Sequence, residues 1–568
     1  MLFLEDLKTK ISAVLKTDKA VFSYPPNPEL GDLSLACFES AKRQGKNPAT
    51  VAQELARELA ADQNLKKYFF NFKAIGPYLN FFIIPEYAAQ TVIGEIIKGG
   101  AVYGVNESGG GKKVMIEYSN GNTHKEYHVG HLRNISYGDA INHLLTANGF
   151  EAIPVSYIND FGIHTAKTIW NWRRNPNYAD RPENKGYLLG KCYADASKFL
   201  AANPGYKEEI GKIMAEIESR SGANYELWKE TREWSINYFA SIYEELGVRF
   251  KETFYENEVI DGGLKLVKEL LAKEILKKSE GAIIADLEQY DLGVLPVIRT
   301  DGTALYPVAD LSLASEKFRK YDLSESIYVV DVRQSLYFKQ LFKILELMGY
   351  NQKLVHLVYD FVTLPGGMMA SRTGNVITYQ ELREKLSAKL TAETAARHQN
   401  WSAARIACVA GDLAVSTMKF EMLKVSADKI ITFNIEEAAK FEGYTACYLQ
   451  YGYARLKSVI RKGGFDLAAL FGGQPDLKEL KEPKEKNLLI KAARYPEVIA
   501  AAGEKYNPSE VAKYLFELTQ MVNDYYHEIN ILKAAPRIKR ARLALIKAMA
   551  QVLKNGLAVL GVKTLEEM

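Results

Sequence analysis

At 568 residues the chain is longer than one hydrophobic core usually supports, so three or four domains are expected. An apolar content of 47% excludes a disordered chain, and the lack of any uncharged apolar run of about eighteen residues argues against a membrane-spanning helix. The formal charge of +4 is mild, the N-terminus MLFLEDLKTK lacks a secretory pattern, and Cys37, Cys192, Cys408 and Cys447 form no Cys-x-x-Cys pair; a cytoplasmic monomer with no structural metal and no disulfide framework is expected.

Residues 1–110 read as a compact α+β module. Pro48 opens a helix to Ala61 with Val51, Leu55 and Leu59 on one face, and the aromatic run Gly76 to Ile84 reads as a strand. The Gly-rich joint Glu107 to Lys112 (ESGGGK) marks the boundary. Next come a buried strand Lys113 to Tyr118, a loop rich in Asn, Ser and Gly, a helix from about His131 to Ala147, and a strand Ala152 to Tyr157. Strand, loop, helix, strand opens a parallel doubly wound sheet, so 111–385 reads as an α/β domain.

Within that domain, about 173–290 is charged, mainly helical and reads as an insertion, while Leu295 to Arg299 and Ser326 to Val330 read as returning strands. From about Glu381 the pattern turns helical: a connector over 386–440, then a bundle over 441–568 whose last helix buries Leu543, Ile546, Leu553, Leu557 and Leu560. Between Lys533 and Lys563 lie Arg537, Lys539, Arg540, Arg542, Lys547 and Lys554 with no acid, which reads either as a polyanion-binding surface or as a solvated helix face.

Three of the eight histidines fall within His124 to His131, in the loop between the first strand and its helix. In a doubly wound sheet that loop sits where ligands bind, and the helix N-terminus favours phosphate. Gly130 would let a nucleotide approach the backbone, and imidazole N–H groups could meet phosphates as charge develops. A bare His-x-x-His is weak evidence, because the same spacing serves metal pairs, caps and ordinary surface.

The surrounding residues carry more. His128-Val129-Gly130-His131 resembles the His-Ile-Gly-His signature of class I aminoacyl-tRNA synthetases, and the run IEYSNGNTHKEYHVGHLRN (Ile116 to Asn134) resembles the arginyl-tRNA synthetase family's version, with Glu117, Tyr118, Ser119, Asn122 and Lys125 in register. Asn120 and Gly121 replace the usual Ser and Pro. The family's second phosphate loop, Lys-Met-Ser-Lys-Ser, has only a degenerate counterpart in Met368-Met369-Ala370-Ser371-Arg372; otherwise that stretch is a Met-rich turn. The resemblance implies ATP binding by His128, Gly130, His131, Met369, Ser371 and Arg372, with Lys125, His128, His131 and Arg372 as catalytic groups and magnesium accompanying ATP. It also implies that Lys125 substitutes for the missing loop lysine.

A pocket selective for arginine needs carboxylates and carbonyl acceptors arranged around a planar guanidinium. Asp301 to Asp310 (DGTALYPVAD) resembles a family element that implies arginine contacts from Tyr306 and Asp310, four apart on one helix face. Glu117, Ser119, Asn122 and Gln334 complete the implied set, while Tyr337 stands where the family more often has His. Singly, each of these is equally a cap or a surface group; Asp310 could simply start a helix.

Tyr444, Tyr448 and Tyr451 recur at helical spacing beside Gln450 and Arg455, which suits stacking of unpaired RNA bases but also describes a core stripe. The stretch resembles the opening helix of the family's anticodon-binding bundle, and the N-terminal module resembles its tRNA-elbow extension. The fold implied is a class I Rossmann-type parallel-sheet catalytic domain between an α+β module and an all-α bundle. The activity implied is arginine activation by ATP and transfer to the terminal ribose 2′-hydroxyl of arginine tRNA, activation itself needing tRNA. A catalytically weak tRNA-binding paralogue and a class I synthetase for another amino acid are the alternatives.

Overall fold

The computed structural model describes residues 2–16, 20–178, 180–365, 377–464 and 475–568. Its centre is a five-stranded, wholly parallel sheet of Lys113–Glu117, Glu151–Ile158, Glu252–Tyr255, Glu325–Asp331 and Lys353–Tyr359. Counting these strands in chain order, the spatial order is 5-4-1-2-3. The order reverses between Lys113–Glu117 and Glu325–Asp331, and a crevice opens beyond the carboxyl ends of the two strands at such a switch point.

The helix after the first strand spans Val129–Ala147 and is buried on nearly all faces, because the sheet covers one side and the C-terminal bundle the other. Gly138 makes the close packing possible: a Cβ there would lie 2.2 Å from Cγ of the buried Tyr118 ring. On the bundle side Asp139 pairs with Lys419 at 2.8 Å, both buried, and Lys419 also donates to the Leu246 carbonyl at 2.9 Å. The Tyr137 hydroxyl donates to the Tyr506 carbonyl and the Asn148 amide to the Ile499 carbonyl.

The stretch 173–290 is more than an insertion. Three helices, Lys185–Ala202, Lys207–Glu218 and Ala223–Glu245, pack on Ile163–Arg174, with Ile169, Trp170, Ile213 and Trp228 in a small core of their own. Glu252–Tyr255 then returns to the parallel sheet as its edge strand, too short to show periodicity in sequence. The run read as Leu295 to Arg299 is a strand, Val294–Ile298, but it joins a separate three-stranded antiparallel sheet rather than the parallel one. Glu280 and Gly281, both at positive φ, make the tight turn that sets that small sheet's hairpin.

At the N-terminus, Phe22–Ser23, Leu33–Ala36, Tyr78–Ile83 and Phe69–Ile75 form a four-stranded antiparallel sheet backed by helices that include Pro48–Ala61. This module rests on the bundle, where Lys486 meets the buried Asp32 carboxylate at 2.6 Å. In the bundle, Pro483, Pro508 and Pro536 each open a helix, as a residue lacking an N–H can at the first turn. The last helix, Pro536–Val559, buries Leu543, Ile546, Leu553 and Leu557, and Leu560 just beyond it. Among the described residues no helix is long and apolar enough to cross a membrane.

Candidate active site

A cleft of about 820 Å³ opens at the switch point. The first strand brings Glu117 to it, the following loop Asn120 and Asn122, and the helix start His128, Gly130 and His131. The helix Tyr306–Tyr321 adds Tyr306, Asp310 and Lys317, and the turn Val332–Gln334 with the helix behind it adds Gln334 and Tyr337.

The two histidines form a reciprocal cap. His128 Nδ1 accepts from the Gly130 N–H at 3.1 Å, and His131 Nδ1 accepts from the His128 N–H at 3.1 Å. Their rings stack with centroids 3.9 Å apart. Since each Nδ1 accepts from a backbone N–H, the proton of each neutral ring is assigned to Nε2, leaving that N–H as a donor. Burial, then Arg333 and Lys125, push His128 down to about 4, and burial with His128 and Lys125 holds His131 well below the usual histidine range. Neutral donors at a helix N-terminus suit a phosphate that brings its own charge. Gly130 is needed for this cap, because a Cβ would come within 2.9 Å of the folded-back His128 ring.

His124, the third histidine of the run, is no part of the site. It is fully buried, with its ring nitrogens on Thr123 Oγ1 at 2.9 Å and Thr231 Oγ1 at 2.8 Å, and burial lowers it to about 3. Lys125 lies at the edge of the site. Its ammonium is 3.5 Å from Asn122 Oδ1 and 5.5 Å from the Tyr193 ring, and its pKa is lowered by burial first and then by Lys167.

On the opposite side, Asp310 Oδ2 accepts from the Tyr337 hydroxyl, while Oδ1 takes no hydrogen bond among the described residues. Burial is the main cause that lifts Asp310 to about 7; Tyr337 opposes the rise, Glu117 adds to it and Lys317 opposes it. Glu117 is buried, with one oxygen on the Lys317 ammonium and the other on Asn120 Nδ2 at 3.0 Å. Tyr306, 65% exposed, and Gln334, also exposed, form the rim.

Ser119 does not join the cleft, which corrects its expected place among the arginine contacts. It is fully buried; its N–H donates to Asn134 Oδ1 at 2.5 Å, its hydroxyl bonds Tyr127 and Tyr243 at 3.0 Å each, and its carbonyl accepts from Ser156. A positive φ of 59° turns the chain there, so the motif's serine serves as scaffold. Met369, Ser371 and Arg372, expected at the phosphates, lie outside the described residues, as does the rest of Met368 to Arg372.

Several cleft residues escape the sequence reading. Asn134 ties the first strand's loop to the neighbouring strand by donating to the Val329 carbonyl at 2.6 Å, and Lys317 pairs with Glu117 from 200 positions away. The one available signal for Lys317 is its spacing of seven from Asp310, two turns along the same helix face.

In the bundle, Tyr444, Tyr448 and Tyr451 are half-buried on the helix Ala446–Lys462 and the turn before it. Tyr444 and Tyr448 pack on Phe516, and the Tyr448 hydroxyl accepts from Asn523. The Arg455 guanidinium lies 4.7 Å from the Tyr451 ring and 5.2 Å from that of the exposed Tyr526. Gln450, expected with them at the RNA, is instead fully buried and donates to Ser416 Oγ at 3.0 Å and to the Lys563 carbonyl at 2.7 Å. One helical residue turns about 100°, which carries position 450 off the face of its neighbour Tyr451.

Comparison with known proteins agrees with this architecture segment by segment. The family model described as "tRNA synthetases class I (R), catalytic domain" matches residues 93–434, "Arginyl tRNA synthetase N terminal domain" matches 2–83, and "DALR anticodon binding domain" matches 449–568. The chain is 36% identical to an arginine–tRNA ligase of Bdellovibrio bacteriovorus, covering 96% of this chain and 93% of the relative. It is 32% identical to one of Halothermothrix orenii, covering 96% and 95%. In fold it resembles the arginyl-tRNA synthetase of Thermus thermophilus, with a TM-score of 0.81 at 24% identity over 100% of this chain and 99% of that one.

Proposed function

From the premise that the chain belongs to the arginyl-tRNA synthetase family of class I and is an arginine–tRNA ligase, we infer how its own residues divide the work. The observation that carries the division is the single cleft with two unlike walls, neutral imidazole donors at a helix N-terminus on one side and carboxylates on the other.

Arginine lies with its guanidinium at Asp310 Oδ1, between the rim groups Tyr306 and Gln334, and with its α-carboxylate end toward Asn122. The Tyr337 hydroxyl fixes the Asp310 carboxyl, so the acceptor is oriented before the substrate arrives. ATP, with magnesium as part of the substrate complex, lies over Gly130 with its phosphates toward the Nε2–H groups of His128 and His131. The arginine carboxylate attacks the α-phosphate in line, and arginyl-adenylate and pyrophosphate result. The charge that builds on the leaving phosphates is met by His128 and His131, donors in the cleft wall, and by Lys125 reaching in from its edge. Arg372 is assigned to the same task.

The terminal ribose 2′-hydroxyl of arginine tRNA then takes the acyl group. Tyr444, Tyr448, Tyr451 and Arg455 belong to the tRNA-facing side of the bundle, with the half-buried Arg455 guanidinium between the Tyr451 ring and the exposed Tyr526 ring as the platform. The protein works in the cytoplasm as a monomer, and activation requires bound tRNA.

Arginine-dependent ATP–pyrophosphate exchange, with and without arginine tRNA, tests this. Exchange is expected only with tRNA present. No exchange with cognate tRNA would sink the assignment of the cleft, and equal exchange without tRNA would sink the tRNA requirement.

A further inference from the structure

The arginine wall contains a charge that the recognition of a guanidinium does not by itself require. Two carboxylates, Glu117 and Asp310, line a pocket for one monovalent cation, and a third group, the Lys317 ammonium, is buried between strand and helix beside them. Lys317 is 0% exposed. Its ammonium bonds Glu117 Oε2 and lies 5.2 Å from the Tyr328 ring and 5.5 Å from the Phe254 ring. The aromatic walls and the ion pair together hold it in one place.

Glu117 is thereby committed on both oxygens, Oε2 to Lys317 and Oε1 to Asn120. Asp310 is not, since only Oδ2 is bonded, to Tyr337, and its Oδ1 remains open to the cleft. Asp310 and Lys317 stand two turns apart on the helix Tyr306–Tyr321, so one rigid element presents the free carboxylate and the cation that neutralises its neighbour.

We infer that Lys317 is a positioning and specificity-determining residue of the arginine pocket: by pairing with Glu117 it leaves Asp310, of these two carboxylates, as the one that meets the guanidinium. The inference rests on the proposed placement of the guanidinium at Asp310. A pocket with both carboxylates uncompensated would repel itself when empty and would draw a proton or a second cation before arginine. With the Glu117–Lys317 pair formally neutral, Asp310 is the one of these three groups left to balance the guanidinium. Lys317 acts through Glu117 and does not touch the reacting atoms.

The test is a double-mutant cycle on full-length protein, read as arginine KM, ATP KM and kcat in tRNA-supported exchange. Lys317→Met should raise the arginine KM about tenfold or more, with kcat and ATP KM little changed, because it leaves Glu117 unpaired beside Asp310. Glu117→Gln should also raise it, because the freed Lys317 ammonium then competes for Asp310. Joining the two in Lys317→Met/Glu117→Gln should recover an arginine KM within about threefold of the parent, since the pair is removed as a unit. Lys317→Arg, which keeps the charge, should stay close to the parent.

An unchanged arginine KM in folded Lys317→Met overturns the proposal, and so does a double variant no better than Glu117→Gln alone. The second comparison decides the matter even where Lys317→Met fails to fold, because the double variant leaves neither member of the Glu117–Lys317 pair as an unpaired charge. Asp310→Asn separates the two levels. A normal arginine KM in that variant overturns the placement of the guanidinium itself, whatever the cycle shows.

Discussion

With the guanidinium placed at Asp310, the arginine affinity of this enzyme should depend on pH in the neutral range. The guanidinium stays charged throughout, so binding selects the ionised carboxylate, and the free carboxyl is held up at about 7, chiefly by burial. The apparent affinity scales with the ionised fraction, roughly a tenth at about pH 6 and roughly nine tenths at about pH 8, so the arginine KM should fall about tenfold across that interval. The sign follows from the raised value: protons compete with arginine, and the competition weakens as pH rises. His128 does not blur the effect, since it is held down at about 4 and stays neutral over the same range. Asp310→Asn should remove the part of the pH dependence that Asp310 carries, leaving that of the neighbouring Glu256, which burial first and then Asp310 raise to about 8. By removing one side of a charge contact, it should also cost about 2–5 kcal/mol of arginine binding, or at least about thirtyfold in KM. The assay is exchange at saturating ATP and tRNA over about pH 6 to 8, with ATP KM as the control. An arginine KM that is flat with pH, or that varies equally in Asp310→Asn, would refute the reasoning.

Other outcomes follow from the same geometry. Lys125→Ala should slow exchange by about a hundredfold or more while leaving tRNA affinity in a filter-binding assay nearly unchanged, since a donor at the developing phosphate charge is lost; normal exchange would end its assigned role. Lys419→Met leaves Asp139 buried without its partner and should cost about 3–5 kcal/mol of stability, seen as a lower midpoint in urea. His124 is buried neutral with its value lowered to about 3, so the unfolded chain binds its proton first. Stability should therefore drop as pH falls below about 6.5, by ~1.4 kcal/mol per pH unit from this residue down to its folded value, and His124→Gln should flatten that slope in acid denaturation. Tyr451→Ala should weaken tRNA binding without altering the arginine KM, since its ring carries the Arg455 guanidinium far from the cleft.

Local pattern was enough for much of this protein. The helix Pro48–Ala61 has the bounds its proline and apolar spacing indicate, and the strand, loop, helix, strand unit around His128 forms with the strand Lys113–Glu117 parallel to Glu151–Ile158. Such features depend on residues a few positions apart, where propensity, capping and periodicity act directly. Glu117, Asn122, His128, Gly130, His131, Tyr306, Asp310 and Gln334 reach one cleft because each stands on an element whose end faces the switch point.

What local pattern could not supply lay in contacts between distant segments. Glu252–Tyr255 becomes a sheet edge because Glu151–Ile158 offers it a free row of hydrogen-bonding groups. Ser119 and Gln450 carry the right chemistry at the right spacing, yet tertiary packing spends their hydrogen bonds inside the protein. The division of labour between Glu117 and Asp310 is decided by Lys317, a residue that matters because folding closes a loop of 200 positions and buries Glu117 and Lys317 together beside Asp310. Sequence determined which groups were available; tertiary structure determined which remained unpaired, and in a buried site the unpaired group is the one left to bind substrate.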